Sequence, residues 1–262
     1  MSSVLIAVVI VVAIGLIVGL VLAVASALMA VPVDEKAEKI LEQLPGANCG
    51  ACGFSGCSGY AAALSKGEAE LGLCTVGGQS VIDAIAPITG SDGVQSVPKT
   101  AVVHCFGSDD YTGKSVHYQG IESCAAAAQL YGGMGECTYG CIGYGDCANV
   151  CEYGAISVCN GVASVNSDLC KACGKCVKVC PHKLITIEPK DSHASVRCSN
   201  CDKGAQTRKA CKTGCIGCMK CVKLCEYGAV KVVDFHAVID PDKCTACRKC
   251  AEGCPQNIIH MI

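Results

Sequence analysis

The 262-residue chain has no tryptophan, three phenylalanines and 4% aromatic residues in all. One large core built on aromatic anchors is therefore excluded, and its small domains need another source of stability. Charged residues are sparse too, at 17%. No P-loop, dinucleotide fingerprint or nucleophile elbow is present. The glycines of Gly132-Gly133-Met134-Gly135 precede a cysteine loop instead of opening a helix after a strand. His104, His117, His182 and His193 show no paired spacing, so surface or loop histidines are expected. No basic motif interleaved with aromatics occurs, and nucleic acid is not an expected partner.

What the chain has in abundance is cysteine, 26 in all. Runs such as Cys170, Cys173, Cys176 and Cys180 are too tight to serve as separate structural disulfides, but they can wrap one metal centre. Metal–thiolate bonds would then supply the stability that the thin core does not. The net charge of −2 hides an asymmetry. Residues 1–131 carry 5 Lys/Arg against 11 Asp/Glu, and residues 132–262 carry 16 against 12. The cysteine-dense half is basic, which suits an acidic protein partner.

Residues 4–31 contain no charge, and 28 residues exceed the roughly 20 that span a bilayer. A cleaved signal peptide would want a basic start and a shorter apolar run. One retained anchor over residues 1–31 is expected, with Gly15 and Gly19 spaced for packing on another membrane helix. Residues 32–90 read as a small helical domain. Asp34 caps a helix beginning at Glu35, a glycine-rich loop runs from Pro45 to Cys57, and a helix over Gly59–Leu73 delivers Cys74. Residues 91–131 read as a connector with a short strand at Val97–His104.

The remainder is an internal duplication. Gly140-Cys141-Ile142-Gly143-Tyr144-Gly145-Asp146-Cys147-Ala148-Asn149-Val150-Cys151 aligns with Gly214-Cys215-Ile216-Gly217-Cys218-Met219-Lys220-Cys221-Val222-Lys223-Leu224-Cys225, and a second cysteine run follows each. Residues 132–194 and 195–262 are thus two equivalent domains. C-x2-C-x2-C-x3-C-P is the run of bacterial ferredoxins, in which three cysteines hold one [4Fe–4S] cube and the fourth ligates the other. A four-cysteine zinc site requires neither the third close cysteine nor the proline.

In the second repeat, Cys215, Cys218, Cys221 and Cys254 are expected to hold one cube, and Cys225, Cys244, Cys247 and Cys250 the other. In the first repeat Tyr144 stands where Cys218 does, so a ligand is missing. Cys137, aligned with Cys211, is expected to replace it beside Cys141, Cys147 and Cys180; a three-cysteine site is the alternative. The partner cube takes Cys151, Cys170, Cys173 and Cys176. A further set, Cys49, Cys52, Cys57 and Cys74, suits one more cube, with glycines 46, 50, 53 and 56 leaving backbone amides free to face sulfide. Five cubes use 20 cysteines. Cys105, Cys124, Cys159, Cys198, Cys201 and Cys211 remain, and buried free thiols are expected for them, although Val103-His104-Cys105 and Val196-Arg197-Cys198 sit in similar frames and could close another site. Lys171, Lys175, Lys178 and Lys183 crowd one run, and Lys212, Lys220, Lys223 and Lys231 another, as a solvated face or a docking surface for an acidic electron carrier.

The order of apolar anchor, LPGANCGACGFSGC module, CTYGCIGYGDCANVC and GCIGCMKCVKLC resembles the B subunits of Rnf complexes, the membrane-bound ferredoxin:NAD+ oxidoreductases, across essentially the whole chain. That resemblance implies an α+β architecture: a single N-terminal transmembrane helix, a small helical [4Fe–4S] domain and two bacterial-type 2[4Fe–4S] ferredoxin domains. It implies five [4Fe–4S] clusters on the cysteines assigned above, the Cys137 variant included. The expected partners are soluble ferredoxin and membrane subunits with flavin and iron–sulfur centres. Electrons would end at NAD+ with export of Na+ or H+, and the main body would lie on the cytoplasmic side of the cell membrane. The runner-up is a polyferredoxin-type component of another membrane oxidoreductase, and a zinc-binding interaction module stands behind both. Glu152 and Glu226 depart from plain ferredoxins, where proline usually follows the fourth cysteine.

Overall fold

The computed structural model describes residues 2–28, 34–91, 93–190 and 193–262. Helix α1 (Ser2–Leu28) carries the apolar run, and its Leu5–Ser26 portion is long and apolar enough to cross a membrane, with none of that portion buried. The outer residues of the anchor expected over 1–31 lie outside the described residues.

Asp34 caps helix α2 (Glu35–Gln43) as its sequence position predicts, its carboxylate accepting from the Lys36 and Ala37 amides at 3.0 and 3.2 Å. Helix α3 (Cys57–Lys66) is shorter than the expected Gly59–Leu73, because Gly67 leaves it in the left-handed conformation at φ 74°. Cys74 is therefore delivered by a loop. Helix α4 (Gly78–Thr89) closes the module, and Ile40, Leu44, Tyr60, Ala61, Leu64 and Ile85 form its core. Each large apolar side chain buried here contributes about 1.5–3 kcal/mol. Only a handful are present, so the core is small for the length of the module.

Part of the expected connector pairs with the first repeat. Strand β1 (Lys99–Val103) pairs antiparallel with β4 (Ile185–Pro189), and between them lie α5 (Cys124–Ala128), α6 (Asp146–Asn149), the hairpin β2 (Ile156–Cys159) and β3 (Val162–Val165), and α7 (Lys175–Val179). The second repeat follows the same plan. Strand β5 (Ala194–Val196) precedes α8 (Gly204–Ala210), α9 (Lys220–Leu224), the hairpin β6 (Val230–Val233) and β7 (His236–Ile239), α10 (Lys249–Glu252) and β8 (Ile259–Met261), which pairs with β5. Each repeat therefore needs a strand from upstream of its cysteine runs to pair with its last strand. The two cores are made of Ala, Val, Leu and Ile packed directly against cysteines.

Candidate iron–sulfur centres

Each of the four short helices α6, α7, α9 and α10 begins from a residue in the left-handed conformation: Gly145, Gly174, Met219 and Arg248, with φ between 59° and 80°. In the three intact runs that reversal lets a C-x2-C spacing turn its successive thiols inward. Four cavities within the repeats are lined by four thiols apiece. One has Cys215, Cys218, Cys221 and Cys254; another Cys225, Cys244, Cys247 and Cys250; a third Cys151, Cys170, Cys173 and Cys176. These three sets are the ones the spacing predicts, crossed ligand included.

The fourth differs from expectation. It is lined by Cys141, Cys147 and Cys180 together with Cys124, and Cys137 is absent from it. The physical reason lies in α5. The Asp146 carboxylate, one residue before Cys147, accepts from the Ser123 hydroxyl and the Ala125 amide at 3.0 Å each. Asp146 thereby pins the N-terminus of α5, and with it buried Cys124, against the cavity. Burial works against this carboxylate, but the amides of Ala125 and Cys124 and the Ser123 hydroxyl outweigh it and hold the carboxyl below its ordinary value. Tyr144, in the place of the missing ligand, instead packs its ring on Tyr118 and points its hydroxyl to the Met134 sulfur at 3.4 Å. Cys124 has no close cysteine neighbour in sequence, so spacing alone gives no sign of it.

Cys137 lines a further cavity with Cys105, Cys198 and Cys211, all four of them outside the ferredoxin runs. The last three are residues that the sequence assigns as free thiols. Of the N-terminal set, Cys52, Cys57 and Cys74 pack on the α2–α4 core, and burial followed by the Cys57, Cys52 and Cys49 thiols raises Cys74. Asn48 ties this loop by accepting from the Cys57 amide at 2.8 Å. A Cβ on Gly56 would approach the same carboxamide oxygen to 2.9 Å, so glycine here leaves the Asn48 tie undisturbed. Of the 26 cysteines none is in a disulfide, and Cys159 and Cys201 alone stand outside these six sets of four.

The chemistry of these sites favours a polynuclear cationic centre. Burial pushes Cys105 and Cys147 up to about 12 and Cys176, Cys198 and Cys221 up to about 11, so the protein by itself keeps them as neutral thiols. Iron bound to the thiols of one cavity would reverse that. Among the described residues no three Cys, His, Asp or Glu side chains converge closely enough for a single ion. The cavities, mouths included, hold about 320–420 Å³. Backbone amides reach the sulfurs from outside: Ala101 and Ala172 donate to Cys170 Sγ at 3.3 and 3.4 Å, Leu184 to Cys180 Sγ at 3.4 Å and Ala237 to Cys215 Sγ at 3.3 Å. Such N–H···S bonds offset thiolate charge and tune cluster potential.

Family models agree with this division. An Fe-S cluster model matches residues 44–76, a 4Fe-4S binding domain 163–186 and a 4Fe-4S dicluster domain 214–258. The chain is 38% identical over 263 residues to the B subunit of the ion-translocating oxidoreductase complex of Methanosarcina acetivorans, with all of both chains covered. It is 39% identical over 260 residues to the B subunit of the Na(+)-translocating ferredoxin:NAD(+) oxidoreductase complex of Acetobacterium woodii, covering 99% of this chain and 78% of that one. It is also 37% identical over 266 residues to the B subunit of the proton-translocating ferredoxin:NAD(+) oxidoreductase complex of Clostridium ljungdahlii, covering 100% and 94%. The chain belongs to the B-subunit family of ion-translocating oxidoreductase complexes. Within that family it is an iron–sulfur electron-transfer subunit, and its apolar helix α1 is the candidate membrane span.

The lysines expected as a docking surface divide. Lys175 is paired with Glu152, and Lys249 with Glu226, at equivalent places in the two repeats, which accounts for the two glutamates that replace proline. Lys178 Nζ donates to the Cys49 carbonyl at 3.0 Å, and the Thr75 hydroxyl to the Ala172 carbonyl at 3.2 Å, fastening the N-terminal module to the first repeat. Lys212, Lys220 and Lys231 of the second repeat are exposed, and so is Lys223.

Proposed function

We propose that this subunit takes single electrons from reduced ferredoxin and relays them through [4Fe–4S] clusters to membrane subunits of its complex, towards NAD+. The observation that carries the reading is the set of four-thiol cavities, three of which keep the ferredoxin ligand pattern unchanged. Support also comes from the relatives from Acetobacterium woodii and Clostridium ljungdahlii, whose names describe ferredoxin:NAD(+) oxidoreductases. The clusters supply reversible one-electron chemistry when bound. The chain's own residues hold the thiolates, donate amide hydrogens to sulfur and keep water from the inner faces through Ala, Val and Ile side chains.

In this reading residues 32–90 hold one cluster on Cys49, Cys52, Cys57 and Cys74, and each repeat holds two, with Cys124 serving the first. The body lies on the cytoplasmic side, where iron–sulfur centres meet a reducing environment. Among the described residues one helix is long and apolar enough to cross a membrane. A single helix offers no ion path, so ion transport falls to the partner subunits. Ferredoxin docks on the exposed lysines of the second repeat, by charge attraction.

The test is stopped-flow bleaching of cluster absorbance when reduced ferredoxin meets the purified protein at low salt. Rapid bleaching that slows several-fold in Lys220→Glu/Lys223→Glu, with the difference vanishing at high salt, is expected. No electron uptake by the wild type would reject the electron-entry role, and an unchanged rate in the variant would reject this docking face.

A further inference from the structure

The cavity lined by Cys105, Cys137, Cys198 and Cys211 lies between the two repeats, and its construction is symmetric. Cys105 and Cys198 form an antiparallel bridge with each other, although each is the counterpart of the other in the duplication. A residue paired antiparallel with its own equivalent sits on a local twofold axis. Flanking contacts obey the same axis. His104 Nδ1 meets the Val196 carbonyl at 2.8 Å, and Arg197 donates to the Val103 carbonyl at 3.1 Å. The Cys141 amide donates to Cys105 Sγ at 3.4 Å, and the Cys215 amide to Cys198 Sγ at 3.3 Å. Cys137 and Cys211 are likewise equivalents, each followed by a turn in which Gly140 or Gly214 donates back to its carbonyl.

We infer that these four cysteines bind a sixth [4Fe–4S] cluster, which bridges the two ferredoxin-like repeats. Three features point to this occupant. The cavity, at about 360 Å³, matches the one formed by the ferredoxin-spaced Cys215, Cys218, Cys221 and Cys254. Three of its sulfurs already receive N–H donors, the third being Cys137 Sγ from Asn200 Nδ2 at 3.3 Å. A Cβ on Gly107 would stand 3.1 Å from Cys211 Sγ and 3.8 Å from Cys105 Sγ, so this wall is kept bare where the sulfurs lie. Arg197 adds a charge argument. It lines the cavity, and its Nε is buried with no hydrogen-bond partner among the described residues. A buried unpaired donor is costly, and a cube ligated by four thiolates is an anion that would offset it.

The position gives the cluster a task. Cys141 and Cys215, whose amides touch its thiols, are ligand positions of the two nearest cavities, one in each repeat. At the far end, Lys178 and Thr75 join the N-terminal module to the first repeat beside the Cys151, Cys170, Cys173 and Cys176 cavity. The six centres then form one row, with the bridging cube between the repeats. It takes one electron from a reduced neighbouring cube, which is thereby oxidised, and passes it on with no bond made or broken.

This inference rests on the electron-relay reading, and one set of measurements separates their failures. Iron, zinc and acid-labile sulfide are counted in anaerobically purified full-length protein, with low-temperature EPR after reduction. About 24 iron and 24 sulfide per chain are expected, falling by about four of each in Cys137→Ser and in Cys211→Ser while Cys159→Ser stays at the full count. A wild-type count near 20 with cubane signals would overturn the sixth cluster and leave the relay reading standing. About 20 iron plus one zinc would assign the site to zinc and also overturn it. Zinc without sulfide throughout would end both. If the cysteine variants do not accumulate, Arg197→Gln gives a second reading, since loss of the cation should lower the potential of one EPR-resolved cluster only. No shift in any cluster would count against an occupant at this cavity.

Discussion

The two repeats share one plan and solve one problem differently. The second keeps Cys218 inside its C-x2-C run, so three of the four thiols lining its cavity lie within one short run around the left-handed Met219, and Cys254 alone comes from further along the chain. The first has Tyr144 there and recruits Cys124 from a five-residue helix pinned by Asp146. Lys220 occupies the Asp146 position in the second repeat, where no helix needs holding. In the reading proposed above, a distant thiol and the carboxylate that aims it take the place of the missing ligand. The comparison teaches that the thiol a cavity receives is set by the hydrogen bonds behind it as much as by sequence spacing.

The largest effect expected from breaking the comparison is at the ligands. Cys124→Ser should remove about four iron from the first repeat, as Cys218→Ser should from the second. Adding Tyr144→Cys to the Cys124 variant should bring the iron back. Iron analysis that finds Cys124→Ser at the wild-type level would refute the recruited-ligand account.

Glu188 on β4 is next in size, and its place in the second repeat is taken by Ile262. Burial works against the Glu188 carboxylate, but hydrogen bonds from His104, Thr186 and His193 outweigh it and hold the group at about 2, below the ordinary 4.5. A carboxyl held low in the folded protein binds fewer protons there than when unfolded. Its stabilisation is therefore complete above about 4.5 and is lost as pH falls towards about 2. Glu188→Gln should cost on the order of 2–3 kcal/mol near neutrality and flatten that acid limb. Far-UV circular dichroism melts across the acid range would reveal the change, and parallel curves for the two proteins would argue against it.

Asp146→Ala should cost about 1 kcal/mol, as loss of a helix cap does, and lower iron occupancy only in the first repeat. Lys220→Ala should do neither, and equal behaviour of the two in thermal melts and iron counts would erase the asymmetry. Smallest are the left-handed positions. Gly174→Ala places a Cβ in open space but at φ 74°, and should cost about 1 kcal/mol from backbone strain alone. Arg248→Gly, at the matching φ 64°, should raise the melting temperature by a degree or two, near 0.5 kcal/mol in rough terms.

Where the sequence is readable, a local spacing carries the information. The anchor, the Asp34 cap, the duplication and the unaltered cysteine sets follow mostly from residues within a few positions of each other. The departures share a cause, since most involve partners far apart in the chain. β1 looks like part of a connector because its partner β4 lies far along the chain, and only tertiary pairing makes it a domain strand. Cys124 and Cys105 have no neighbouring cysteine to announce them. Cys137 does carry a usable sign, because its equivalent Cys211 stands in a repeat whose cubes are already complete. Two cysteines so matched belong in one kind of site, which argues against replacement of a ligand that only one repeat lacks. The early end of α3 is the one local departure, and Gly67 in its left-handed conformation is the stop that the apolar pattern over Gly59–Leu73 conceals.

The antiparallel meeting of Cys105 with Cys198 has a consequence for how such a chain can come into being. A single repeat carries two thiols that complete nothing within it. Set two copies about a twofold axis and those half-sites become a whole, with every ligand supplied twice over by the same stretch of code. Tandem copying of the gene for one repeat therefore creates the junction between the halves in the same event that creates the halves, and no new residue has to be found to join them.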